Sequence, residues 1–218
     1  MAKETDTRER LIHSAIFLFW DRGYAGTSMA DLLAHAEVNS GSFYYFFESK
    51  EALLRAVLEQ YLQALWPMIV DPAFKQTAEP VARIFAILAG YRERILQTDC
   101  RYGCPLGRLA LEIDPENRPA HRLIDENFKG WIGAVRGCLS EARDQLPPRT
   151  NLDALATYVL AVMEGGVMLS RSAGSVEPFD LAVTQLHEHF RLLLGDSRNT
   201  SSRTQKPRRL RFPSARKR

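Results

Sequence analysis

Two helix starts fall close together near the N-terminus, and their closeness constrains the fold more than any other feature of the chain. Ser28, with Asp31 three residues on and Thr27 beside it, can cap a helix whose apolar face is Met29, Leu32, Leu33 and Ala36. Asn39 or Ser40 can then open another helix running through Phe47. The first of these has room for only about two turns, and so short a helix needs tertiary partners. One precedes it. Asp6 and Glu9 have capping-box spacing, Leu11, Ile12, Ala15, Ile16 and Phe19 follow at helical period, and Gly23 supplies a left-handed stop. Two short helices joined by a turn of about three or four residues and braced by an amphipathic helix have the pattern of a helix-turn-helix.

The start of the second short helix, Asn39-Ser40-Gly41-Ser42-Phe43-Tyr44-Tyr45, is dense in small polar and aromatic residues. Hydroxyl and amide groups there can reach phosphates or base edges, the helix N-terminus attracts a phosphate, and Gly41 lets the backbone come close. The same stretch would also suit a plain helical bundle with its aromatic residues in the core. Tyr44 and Tyr45 are adjacent, however, and a short helix cannot bury both together with Phe43 and Phe47.

Helical punctuation continues to the end of the body. Ser49 opens a fourth helix with Leu53, Leu54, Val57, Leu58, Tyr61, Leu62 and Leu65 on one stripe, and Pro67 is expected to close it. Pro72 and Pro80 bracket a predicted linker. Further helices are predicted over 81–97, from Leu106 to Ile113, from Pro119 to about Gln145, from Leu152 to about Arg171, and from Phe179 to Leu194 with Gly195 as the stop. No segment alternates with period 2, so the fold class is all-α. The predicted division is a helix-turn-helix domain over 5–65, a helical body over 66–195 and a tail over 196–218.

Charge sets that tail apart. The chain totals +3, yet Arg198, Arg203, Lys206, Arg208, Arg209, Arg211, Arg216, Lys217 and Arg218 face only Asp196 there, so the rest is net acidic. Rich in Ser, Thr, Pro and Arg, the tail is predicted to be disordered. It can hold phosphate backbones without sequence preference. Three cysteines, Cys100, Cys104 and Cys138, are too few for a disulfide scaffold and fit a reducing compartment. The apolar run Leu11 to Trp20 is short, is interrupted by His13 and Ser14, and lacks an export signal's flanks. No membrane span and a cytoplasmic location are therefore expected.

The stretch Gly23-Tyr24-Ala25-Gly26-Thr27-Ser28-Met29-Ala30-Asp31-Leu32-Leu33, followed by Val38-Asn39-Ser40-Gly41-Ser42-Phe43-Tyr44-Tyr45-Phe46-Phe47-Glu48-Ser49-Lys50-Glu51-Ala52-Leu53, resembles the TetR family of bacterial transcriptional regulators. The resemblance covers about residues 5 to 65. It implies a homodimer on a two-fold symmetric double-stranded DNA operator, with a small-molecule effector held in the C-terminal body. Carried over by position, Thr27 and Tyr44 would contact phosphates, Ser28 beside Thr27 is also a candidate DNA-binding residue, and Lys50 would neutralise a phosphate. Asn39, Ser40, Ser42 and Tyr45 would face base edges, with Gly41 among them, while Phe43 and Phe47 would be core. Two residues depart from the family pattern. Glu37 stands where a turn glycine is usual, and a non-glycine residue there costs about 1 kcal/mol if left-handed; Phe46 stands where histidine is common.

The body offers fainter signals. Trp66, Phe74, Phe85, Tyr91, Tyr102, Trp131, Tyr158, Met163 and Met168 can fill a core or line an apolar pocket, and Cys104, Phe85, Trp131 and Met163 are the candidate effector contacts. Gly103 to Glu112 is similar to a segment of one TetR subgroup, in some members of which a cysteine senses electrophiles. Arg101 and Arg108, close in sequence, would lower the Cys104 thiol pKa. The helices from Leu152 and from Phe179 are the expected dimer interface, with Gly165 and Gly166 allowing close packing. Cys100 and Cys104 lack further ligands nearby, and His187 and His189, two apart, point to different helix faces, so neither metal nor other cofactor is expected. No catalytic motif appears, and the protein is not expected to be an enzyme. The sequence leaves two other readings open: a helical binding module with no operator, and a non-specific DNA binder that uses the tail.

Overall fold

The computed structural model of the chain describes residues 2–196. All regular structure among the described residues is helical: α1 (Ala2–Arg22), α2 (Met29–Ala36), α3 (Ser40–Phe46), α4 (Lys50–Leu65), α5 (Asp71–Gln76), α6 (Pro80–Gln97), α7 (Pro105–Glu112), α8 (Arg118–Glu141), α9 (Leu152–Ala173) and α10 (Glu177–Asp196). The basic tail lies, after Asp196, outside the described residues.

Local chemistry explains the starts. Ser28, Asn39, Ser49, Asn117 and Asn151 each accept, through the side chain, a backbone N–H of the helix they precede. The Ser28–Asp31 box is complete, with the Ser28 N–H donating to Asp31 Oδ2 at 2.9 Å and the Asp31 N–H to Ser28 Oγ at 3.1 Å. Helix α1 begins at Ala2, earlier than the Asp6 cap would place it. Asp6 lies inside the helix, 3.9 Å from Arg10.

Pro67 does not end α4. The chain widens into a π-helical turn, Trp66–Val70, and runs on into α5, so helix occupies much of the predicted linker. A proline removes one N–H and crowds the preceding turn, and a locally wider turn absorbs both effects without breaking the rod.

Two apolar clusters organise the molecule. The N-terminal one joins Leu11, Leu18, Phe19, Leu32, Phe43, Phe47, Leu53, Leu54 and Val57, and extends to Leu109, Ile113, Ala120 and Ile124 of α7 and α8. The other packs α6, α8, α9 and α10 around Ile84, Leu88, Trp131, Val135, Val159, Met163, Phe179 and Phe190. The packing boundary therefore differs from a division at residue 65, because α7 and the start of α8 complete the N-terminal core. Helix α9 is long and apolar enough to cross a membrane by length and composition. Part of that apolarity is used in the body core, where Leu155, Val159, Met163 and Val167 are buried.

Candidate nucleic-acid interface and the cavity behind it

Helix α3 has one face in the core and one in water. Phe43 is fully buried and Phe47 nearly so, whereas Tyr44 and Tyr45 are 60% and 71% exposed. Ser40 and Gly41 are exposed beside them and Ser42 is half-buried. The adjacent tyrosines thus stand outward, with edge-on contacts to Phe43 and Phe46. Asn39 is exposed, but its Oδ1 accepts the Ser42 N–H at 2.8 Å, which commits the carbonyl to the cap and leaves recognition to its amide NH₂.

Two expected phosphate contacts sit differently. Thr27 is buried, and its hydroxyl faces inward, 2.7 Å from the Gly23 carbonyl and 3.2 Å from that of Leu18. It fastens the end of α1 and does not present its hydroxyl to a phosphate. Exposed Ser28 is the hydroxyl residue on the outer side of that turn, with its own hydroxyl turned to Asp31. Lys50 folds back, its Nζ donating to the Tyr24 carbonyl at 2.5 Å and lying 4.1 Å from the centre of the Tyr24 ring. Partial burial lowers its pKa. An ammonium carries three donors, so this contact does not exhaust it.

The turn between α2 and α3 is left-handed at Glu37, with φ 52° and ψ 46°. The Glu37 and Val38 N–H groups close the helix end on the Ala34 and Leu33 carbonyls at 3.2 and 3.0 Å. The departure from glycine therefore leaves the turn intact and places a side chain in a costly conformation.

A joint links this region to the body. Arg108 of α7 donates to the Trp20 and Asp21 carbonyls at the end of α1, both at 3.1 Å, and to Glu112 Oε1 at 2.5 Å. Arg101 meets Asp21 Oδ1 at 2.9 Å, and the Trp20 indole N–H donates to the Gly103 carbonyl at 2.7 Å. Gly23, left-handed with φ 85°, fits beneath this joint; a Cβ there would lie 2.3 Å from Glu112 Oε1. On α8, buried Asn127 donates to the Leu58 carbonyl of α4 at 3.0 Å. Little in the sequence points to these cross-links, because the partners lie far apart along the chain.

Behind the joint is a mainly apolar cavity of about 280 Å³, walled by Ile16 and Trp20 of α1, Tyr61 and Leu65 of α4, and parts of α6, α8 and α9. Cys104, Trp131 and Met163 line it as expected from the sequence; Phe85 does not, and packs on His187 and Phe190 elsewhere. The segment entering α7 is reached through consecutive left-handed residues Asp99 and Cys100.

The electrostatic setting of Cys104 reverses the expectation. Arg101 and Arg108 are turned to Asp21 and Glu112, while Cys104 caps α7, with the Gly107 N–H 3.5 Å from its sulfur, and faces Glu164. Burial and the Glu164 carboxyl group raise its pKa well above the usual thiol range. The thiolate needed for a ready nucleophile is thereby disfavoured. No group of His, Cys, Asp and Glu among the described residues has the arrangement of a metal site.

Comparison with known proteins agrees with this architecture. A family model described as bacterial regulatory proteins, tetR family, matches residues 11–57, and one described as the C-terminal domain of LmrA/YxaF-like transcriptional regulators matches residues 80–185. The HTH-type transcriptional repressor DhaR of Mycobacterium sp. (strain GP1) is 30% identical over 200 residues, covering 91% of this chain and 98% of DhaR. A TetR transcriptional regulator from Chloroflexus aurantiacus superposes with a TM-score of 0.77 at 28% identity, covering 88% and 97% of the two chains. The regulator CifR, as a cysteine mutant solved with 26-bp double-strand operator DNA, shares the fold with a TM-score of 0.70 at 24% identity, covering 81% and 94%. With helix-turn-helix and body both matched, the chain belongs to the TetR family and is a DNA-binding transcriptional regulator.

Proposed function

We propose that the protein is a homodimeric repressor that reads a two-fold symmetric operator through α3 and is released from it by a small molecule held in the cavity. The observation that carries this reading is the shared wall: Ile16, Trp20, Tyr61 and Leu65 belong both to the cavity and to the helices that hold α2 and α3. A ligand pressing on that wall acts on the position of the reader. Dimerisation is supported by apolar side chains left outward on the last two helices, Tyr158, Met168 and Leu169 of α9 and Leu181 and Leu192 of α10. In this role Tyr45, Ser40, Ser42 and the Asn39 amide meet base edges, and Tyr44 and Lys50 meet phosphates, with Gly41 allowing close approach. Thr27 serves by holding the turn that carries Ser28.

Two recognition helices must stand about 34 Å apart to enter successive major grooves of one DNA face. A ligand bound about a hundredfold more tightly by a conformation with another spacing shifts the equilibrium by about 2.7 kcal/mol, and a ligand with equal affinity for both shifts nothing. Selection of bound duplexes from a random pool, with footprinting, tests the reading. Wild type should enrich a two-fold symmetric site that a Tyr44→Ala, Lys50→Ala variant fails to protect. Failure of the folded wild-type protein to enrich any sequence would overturn it.

A further inference from the structure

Two buried polar atoms of the cavity lining have no hydrogen-bond partner among the described residues, Trp131 Nε1 and Glu164 Oε1, and of the two only Glu164 is ionisable to a charge. Among the residues lining the cavity only Arg94 and Glu164 carry a formal charge; Arg94 Nη2 donates to the carbonyl of Met68, itself a lining residue, at 3.1 Å. Glu164 lies among the α9 residues that face the body core. Its Oε1 is buried and has no hydrogen-bond partner among the described residues. The position is built for it, because Oε2 lies 2.7 Å from where a Cβ on Gly107 would be, so any larger residue at 107 would displace the carboxyl group. Cys104 is the neighbour that hydrogen-bonds to this group. An acceptor withdrawn from water and left open in this way is costly unless something else supplies a donor.

The surroundings say which donor. Trp20, Tyr61, Tyr91, Tyr102, Phe128 and Trp131 put aromatic side chains around the same space. Aromatic faces attract cations, most strongly where water is excluded. The volume, about 280 Å³, is at the small end of ligand pockets and suits a compact one- or two-ring molecule. Resting on the reading of this cavity as the effector site, we propose that its ligand is a compact arylalkylamine, bound as the ammonium with an N–H donated to Glu164 Oε1 and its charge held among the aromatic rings.

Burial raises the Glu164 pKa. An ammonium seated against it favours the ionised carboxylate and so opposes that shift.

Calorimetry with three probes of one shape tests the assignment: 1-naphthylmethylammonium, the neutral 1-naphthylmethanol and the anionic 1-naphthoate, each on wild type and on Glu164→Gln. The ammonium should bind wild type about ten- to a hundredfold more tightly than the alcohol. That preference should vanish in Glu164→Gln. Equal binding of ammonium and alcohol by wild type overturns the proposal without recourse to the variant, as does no binding of any probe, and so does a preference that survives in a folded Glu164→Gln. Affinity for the selected duplex, measured separately by anisotropy, keeps the two readings apart. An ammonium preference with unchanged DNA affinity would overturn the regulatory role of the cavity and leave the ligand class standing; DNA release by other compounds without any ammonium preference would overturn the ligand class alone.

Discussion

The two ends of the molecule use the same element, the α-helix, to opposite purposes. In the N-terminal region the distinctive groups are turned out: Tyr44 and Tyr45 stand in water on a two-turn helix whose other face is plugged by Phe43. In the body they are turned in, with Glu164 and Cys104 facing a cavity among aromatic rings. A surface that reads DNA keeps its polar groups solvated until contact and needs only rigid presentation, which caps and a small core provide. A pocket that selects a ligand needs groups withheld from water, and there the unsatisfied acceptor itself is the source of selectivity. The joint at Arg108, Asp21 and Trp20 makes one molecule of the two solutions.

The greatest expected effect comes from removing the plug. Phe43→Ala should destabilise the N-terminal region by about 3–5 kcal/mol, read by denaturant unfolding, with DNA binding lost. A small change in stability would mean that this region is held by something other than its own core. Cutting the joint comes next. Arg108→Ala strips three hydrogen bonds and removes the guanidinium paired with Glu112, which keeps only the longer contact from the Ala25 N–H at 3.4 Å among the hydrogen bonds of the described residues, at a cost of about 2 kcal/mol. The expected signature is a single melting transition that splits in two, and retention of one sharp transition would show that the apolar contact through Leu109 and Ile113 couples the regions by itself.

The Cys104 thiol offers a third test, on the body alone. Its raised pKa means a smaller thiolate fraction at neutral pH than an exposed cysteine has, so alkylation should be slow and should keep rising about tenfold per pH unit beyond about pH 9. A plateau below that pH would contradict the electrostatics derived from Glu164. The mildest change lies in the turn between the short helices. Glu37→Gly relieves a left-handed side chain and should raise stability by about 1 kcal/mol, less the added chain entropy of glycine. A loss of stability would mean that the Glu37 side chain makes compensating contacts.

How much of this could be read in advance differs between the same two regions, for a physical reason. The reader was legible because its determinants are local: the Ser28–Asp31 box, the Asn39 cap and the incompatible burial of adjacent tyrosines all lie within a few residues of one another. Thr27 misled because a hydroxyl beside a cap reads alike whether it turns out or in, and only the packing of α1 turns it in. Pro67 misled because a proline ends a helix unless the turn can widen. In the body, the outline of α6 to α10 follows from apolar period and proline punctuation, while the cavity follows only in part: Cys104, Trp131 and Met163 are on its wall and Phe85 is not. Nothing in the sequence sets Glu164 apart from the other charged residues of α9, and Arg101 and Arg108 are close to Cys104 in sequence yet pair elsewhere. Those facts arise from residues brought together across dozens of positions, and no single stretch of sequence contains them.

Operator recognition by this protein depends above all on the exposed face of α3 reading base sequence. The deciding measurement is the equilibrium affinity of wild type and Tyr45→Ala for the selected symmetric duplex and for a random duplex at one salt concentration, with Lys50→Ala alongside. Tyr45→Ala should lose about 1–3 kcal/mol per contacted base pair on the selected site and little on the random one, while Lys50→Ala weakens both about equally and flattens the salt dependence. Equal losses for Tyr45→Ala on both duplexes, or none on either, would contradict it.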